Sequence, residues 1–149
     1  MKSKIDLGLL ILRLAVGGIM FVHGSQKLLG WFDGPGIAGF VGWMASMHVP
    51  AVAAWLAIIA EFLGGLGLIL GIFPRLAALA IAFDMLVAIL MVHWKTGFFM
   101  NWGSVANRGE GWEYAFLIGA AALALAATGP GAYSAQGRRR NHHVARGAA

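Results

Sequence analysis

Apolar residues run in long stretches along this chain, at about 5–29, 51–73, 76–94 and 114–128, and polar residues collect between them. A run of about 20 apolar residues matches the hydrocarbon thickness of a bilayer and exceeds what a strand or an amphipathic surface helix requires. The pattern predicts an all-α, polytopic membrane protein, a bundle of four transmembrane helices. In the tight link "GIFPR", Pro74 ends the second run and opens the third, which makes those two spans antiparallel neighbours. Between the first two runs, "GWFDGPGIAGFVGWMASMHVP" joins the turn residues Gly34, Pro35 and Gly36 to Trp31, Trp43 and Met44. That make-up suits a segment lying in the headgroup region. The polar, Gly-rich and aromatic "KTGFFMNWGSVANRGEG" reads as an interfacial loop before the last run.

Charge gives the orientation. Four spans place Lys2, Lys4, Arg75, Arg138, Arg139, Arg140 and Arg146 on one side, and Lys27, Lys95 and Arg108 on the other. Positive loops stay inside, so both termini are expected in the cytoplasm, in the inner membrane of a bacterium. Residues 1–134 read as one membrane domain. Residues 135–149 read as a basic, disordered cytoplasmic tail, whose His142 and His143 lack the third ligand a metal site needs.

Composition agrees: 149 residues, 60% hydrophobic and 11% charged, with a mean hydropathy of +0.77. Arg13 interrupts the first run and no A-x-A-like cleavage site closes it, so it reads as a retained helix rather than a signal peptide. The net charge of +5 sits mostly at the chain ends beside apolar runs, which favours an anionic bilayer surface over nucleic acid as the partner. With no Cys, thiol redox chemistry, iron–sulfur clusters and thiolate metal sites are excluded in this chain. No metal is predicted.

The polar residues inside the runs carry the candidate chemistry, because ionisable groups in lipid face the bundle interior and find partners. Counting at about 1.5 Å per residue puts Arg13, Glu61 and Asp84 near the midplane. Arg13 and Glu61 are expected to form a structural ion pair, with Asp84 a candidate proton site. A second layer, toward the outside, holds His23, Gln26, Lys27, His93, Lys95 and Glu113. His23 and Lys27 are four residues apart and share a helix face, and Gly24 between them opens the backbone to close approach. Lys27 is expected to pair with Glu113, and His23 to lie near His93. His23, Lys27, His93 and Glu113 are therefore the candidate catalytic positions and, together with Gly24, the candidate ligand-binding ones. Gly64, Gly67 and Gly71 suit tight packing within the chain or between copies of it.

Taken together, "LRLAVGGIMFVHGSQKLLG", "EFLGGLGLILGIFPR", "AILMVHWKTGFF", "GWEYAFLIGAAALAL" and "TGPGAYS" resemble the DoxX family of small bacterial membrane proteins. The resemblance implies a four-helix membrane bundle and an association with membrane oxidoreductase complexes or with resistance to quinone-like and oxidative stress. The positions it carries over are Arg13, His23, Gly24, Lys27, Glu61, Gly64, Gly65, Arg75, His93, Gly97 and Glu113. Asp84 departs from it, standing where an apolar or neutral residue is expected, and "AYSAQ" lacks an acidic residue after the Ser.

The leading expectation is a component of a membrane oxidoreductase system that handles a quinone or similar lipid-soluble redox ligand, with electrons supplied by the ligand or by a redox partner protein. The alternative is a non-enzymatic scaffold for redox partners at the membrane. A small proton-linked transporter, suggested by Glu61 and Asp84, ranks below both.

Overall fold

The computed structural model describes residues 3–137; the basic run from Arg138 onward, including His142 and His143, lies outside the described residues. The described residues are helical and loop, with no strand. Five α-helices follow in order: α1 (Lys4–Leu29), α2 (Gly36–Ser46), α3 (Ala51–Leu70), α4 (Pro74–Ala88) and α5 (Glu113–Thr128). A π-helical turn, Ile89–His93, and a 3₁₀ turn, Trp94–Thr96, prolong α4. Three helical segments are long and apolar enough to cross a membrane: Lys4–Leu29, Ala51–Leu70 and Pro74–Thr96. α5 is apolar but only 16 residues long. α2 gives the stretch expected in the headgroup region a definite form, an 11-residue helix beside α1 and α3.

Local chemistry explains the helix ends. Ser3 and Asp6 form a capping box on α1: the Asp6 amide donates to Ser3 Oγ at 3.2 Å, and the Ser3 amide donates to Asp6 Oδ2 at 2.8 Å. α3 stops at Gly71, whose φ of 69° is left-handed and open to glycine at little cost. Gly71 therefore ends the helix and also packs tightly, since a Cβ there would come within 2.5 Å of Ser134 Cβ, while Gly64 and Gly67 face Ile81 and Ala77 of α4. Pro74 is the first residue of α4, where its missing N–H would be unsatisfied in any case.

The bundle is built inside out relative to a soluble protein. Leu56, Leu63, Leu76 and Leu117 are more than half exposed, whereas Arg13, Glu61 and Asp84 are buried. Lipid in place of water on the outside makes that distribution favourable. One core cluster, including Met20, Leu68, Ile81, Ile118 and Leu125, joins α1, α3, α4 and α5. A second, with Phe40, Met44, Val49, Ala54 and Ile58, seats α2 against α3.

Glycines set the register between α1 and α3. A Cβ added to Gly24 would come within 2.6 Å of Phe62 Cα, and one added to Gly65 within 2.5 Å of the Phe21 amide nitrogen. Only bare backbones fit at that separation. The antiparallel pairing sets Gly17 against Gly65 and Gly24 against Glu61 and Phe62, so the first turns of α1 project past the end of α3. The segment after α5 fills that space. Ala132 N donates to Asp6 Oδ1 at 2.7 Å, Gln136 N donates to Gly71 O at 3.2 Å, and residues 135–137 make a helical turn.

Candidate functional site

The register decides which polar groups meet. Arg13 and Glu61 are not an ion pair. Depth counting took α1 and α3 as flush, but their offset brings Arg13 to the end of α3 and sets Glu61 beside the last turns of α1. Arg13, 1% exposed, donates only to backbone carbonyls: Nε to Leu68 O at 2.8 Å, Nη2 to Ile69 O at 3.2 Å, and Nη1 to Pro130 O at 2.8 Å and Tyr133 O at 3.3 Å. Two of these acceptors lie in the last turn of α3, where the helix dipole favours a cation. The guanidinium caps one helix and ties down the segment that follows another.

Glu61 pairs instead with Lys27, whose Nζ donates to Glu61 Oε1. Lys27 also lies 4.7 Å from the centre of the Phe40 ring on α2, an attractive cation–π placement. Asp84, buried on α4, feels the charges of both Glu61 and Lys27 and lies within hydrogen-bonding reach of Glu61. Glu61 Oε2 and Asp84 Oδ2 are buried without a donor among the described residues. Lys27, assigned to the outer layer from sequence, thus belongs with Glu61 and Asp84, and Arg13 stands apart from them.

This cluster forms one wall of a cavity of about 630 Å³ between α2, α3 and α4. Phe40, Trp43 and Met44 line it from α2, and Ala57 and Ala60 from α3. Leu56, Phe83 and Met91 line it as well and are more than half exposed, so the cavity opens sideways onto the apolar exterior. His93, Thr96 and Glu110 also belong to its lining.

The π turn helps to bring His93 there. On a regular α-helix, Asp84 and His93, nine residues apart, would point to opposite sides at about 100° per residue. The wider i→i+5 winding of Ile89–His93 turns fewer degrees per residue, and Asp84, Met91 and His93 all line the same cavity. His93 Nδ1 donates to Glu110 O at 2.8 Å, since a carbonyl oxygen only accepts.

The remaining sequence candidates are elsewhere. Glu113 does not meet Lys27: its Oε1 accepts from Met100 N and Trp102 Nε1, both at 2.9 Å, and so pins the loop before α5. That loop folds over the start of α5, where Glu113 N also donates to Phe98 O at 2.9 Å. His23 is exposed and is absent from the cavity wall and from His93's surroundings. Although His23 and Lys27 are four residues apart, about 40° of helix rotation separates them. That is enough to put Lys27 under α2 and His23 outside. Gly24 serves the α1–α3 contact and not a ligand. Sequence reasoning missed the α2 aromatics and Glu110 as wall residues; the signal available was the aromatic content of the segment after Pro35.

Long apolar helices with an apolar exterior and a buried polar cluster define a helical integral membrane protein. Within that class the chain belongs to the DoxX family, whose match covers residues 8–94 and so includes Arg13, Lys27, Glu61, Asp84 and His93. It is 35% identical over 139 residues to the inner membrane protein YqjF of Escherichia coli (strain K12), spanning 90% of this chain and 93% of that one. It is 36% identical over 130 residues to the inner membrane protein YphA of the same strain, covering 85% and 86%. It is also 29% identical over 101 residues to "Putative oxidoreductase CatD" of Bacillus subtilis (strain 168), covering 68% and 71%. No solved structure matches the chain.

Proposed function

We propose that this DoxX-family protein is a component of a membrane oxidoreductase system and that its cavity takes a quinone or similar lipid-soluble redox ligand. The observation that carries the reading is the cavity itself: apolar, open to the lipid-facing side, and ending on Lys27, Glu61, Asp84 and His93. Its volume of about 630 Å³ suits a substituted ring with part of a tail. Lys27 and His93 offer polar contacts to ring oxygens, and Phe40, Trp43 and Phe83 offer flat apolar walls. When bound, the quinone supplies the redox chemistry, with electrons from a redox partner protein. The oxidoreductase name of the Bacillus relative supports this reading.

The protein is read as crossing the bacterial inner membrane four times, in keeping with the names of the two Escherichia relatives. Contacts of Asp6 with Ala132 and of Gly71 with Gln136 bring the first helix, the α3–α4 link and the segment after α5 to one end of the bundle. An even number of crossings has that geometry, and Lys4 and Arg75 at this end support a cytoplasmic side.

Lipid-extract mass spectrometry on protein purified in nanodiscs tests the ligand reading. Wild type is expected to carry a near-stoichiometric quinone, and Ala57→Trp, which fills the cavity from α3, is expected to lose it while remaining folded. No quinone in wild type, together with no binding of an added short-chain benzoquinone, would overturn the reading.

A further inference from the structure

We infer that Glu61 and Asp84 hold a single proton between them at the wall of the cavity, so that the buried cluster is neutral and presents an acid to its ligand. Two buried carboxyl side chains, Glu61 of α3 and Asp84 of α4, meet here with the partly buried Lys27 of α1. Fully ionised, Lys27 contributes +1 and the two carboxylates −2, leaving a net −1 in an apolar surround. A buried charge without a partner is strongly disfavoured, and two carboxylates at close quarters do not both ionise.

The hydrogen bonds point the same way. Lys27 satisfies Glu61 Oε1, while Glu61 Oε2 and Asp84 Oδ2 are each buried and lack a donor. One proton on either carboxyl turns two orphaned acceptors into a single donor–acceptor pair. No other side chain in the wall does so. α2 contributes no titratable group, His93 Nδ1 is committed to the Glu110 carbonyl, and Glu110 Oε2 accepts from Asn101 N at 2.7 Å.

The position gives the proton a use. The site favours a neutral, lipid-soluble ligand with a hydrogen-bond-accepting oxygen, the carbonyl of a quinone among them. A lipophilic anion gains nothing from a carboxyl pair, and a lipophilic cation competes with the proton. Once electrons from the redox partner reduce the ligand, transfer to its oxyanion breaks one carboxyl O–H bond, forms one ligand O–H bond and moves one negative charge from the ligand to the carboxyl pair, which a proton taken up from water then neutralises. The recipient rests on the quinone reading above; the shared proton does not.

Infrared spectroscopy of the ligand-free protein in nanodiscs tests the proton alone. The chain has only six Asp and Glu residues, so the spectrum is tractable. At neutral pH, wild type is expected to show the carbonyl stretch of a protonated carboxyl, shifting in D₂O. Asp84→Asn and Glu61→Gln should each abolish it, and Glu110→Gln should keep it. If the variants fold poorly, ¹³C-carboxyl labelling of all Asp and Glu in wild type must move the band. Absence of the band from wild type, or its survival in Asp84→Asn, overturns the inference. A band without bound quinone would leave the shared proton standing and remove the proposed ligand.

Discussion

The two cationic centres inside the bundle differ in what completes them. Around Arg13, four backbone carbonyls accept from the guanidinium, so that each of its three nitrogens has a partner. Around Lys27, one carboxylate oxygen is satisfied and two others are not, beside a cavity open to the lipid-facing side. The first arrangement suits a joint, because every bond in it holds two parts of the chain together. The second suits a site, because its unmet capacity is directed at something the chain does not provide. Burial of a charge in a membrane bundle is therefore a poor guide to function until its partners are counted.

That contrast is open to test by mutation. Arg13→Gln should have the largest effect, a loss of roughly 3–5 kcal/mol as several charge-assisted bonds disappear and carbonyls are left bare. Reversible unfolding in mixed micelles would measure it, and a small loss would erase the distinction between joint and site. Gly24→Ala, which forces α1 from α3, should cost about 1–3 kcal/mol in the same assay and also weaken binding of a short-chain benzoquinone, because it shifts Lys27 relative to Glu61. Lys27→Met should cost about 1 kcal/mol, since the Lys27 side chain is partly exposed, yet reduce benzoquinone affinity about tenfold by titration. Asp84→Asn should change stability by less than about 1 kcal/mol, because the amide can donate to Glu61 where the proton did. A penalty matching that of Arg13→Gln would make both centres structural.

Much of the fold was legible because bilayer thickness writes itself into the length of apolar runs. Lys4–Leu29 and Ala51–Leu70 fall close to the stretches read from hydropathy, and Pro74 marks the start of α4 as its fixed φ requires. The site was less so. Arg13's acceptors are peptide carbonyls, which every residue carries and none advertises. The pairing of Lys27 with Glu61 depends on how far α1 slides along α3, and that offset is set by the fit of Gly17, Gly24 and Gly65, not by any motif of charge. His93 joins the cavity wall beyond a π turn with no reliable sequence signal, and the expected meeting of Glu113 with Lys27 gave way to nearer donors in its own loop.

The Arg13 joint also constrains the order of assembly. Its acceptors lie 55 and 56 residues along the chain in α3, and 117 and 120 residues along, beyond α5. During synthesis the guanidinium enters the membrane early, while half of its carbonyl partners are still to be translated. The first helix can pack on α3 once that helix is inserted, but the Arg13 cluster is completed only after the segment beyond α5 has been made. A chain shortened after Thr128 would give up the late acceptors and with them this closing step.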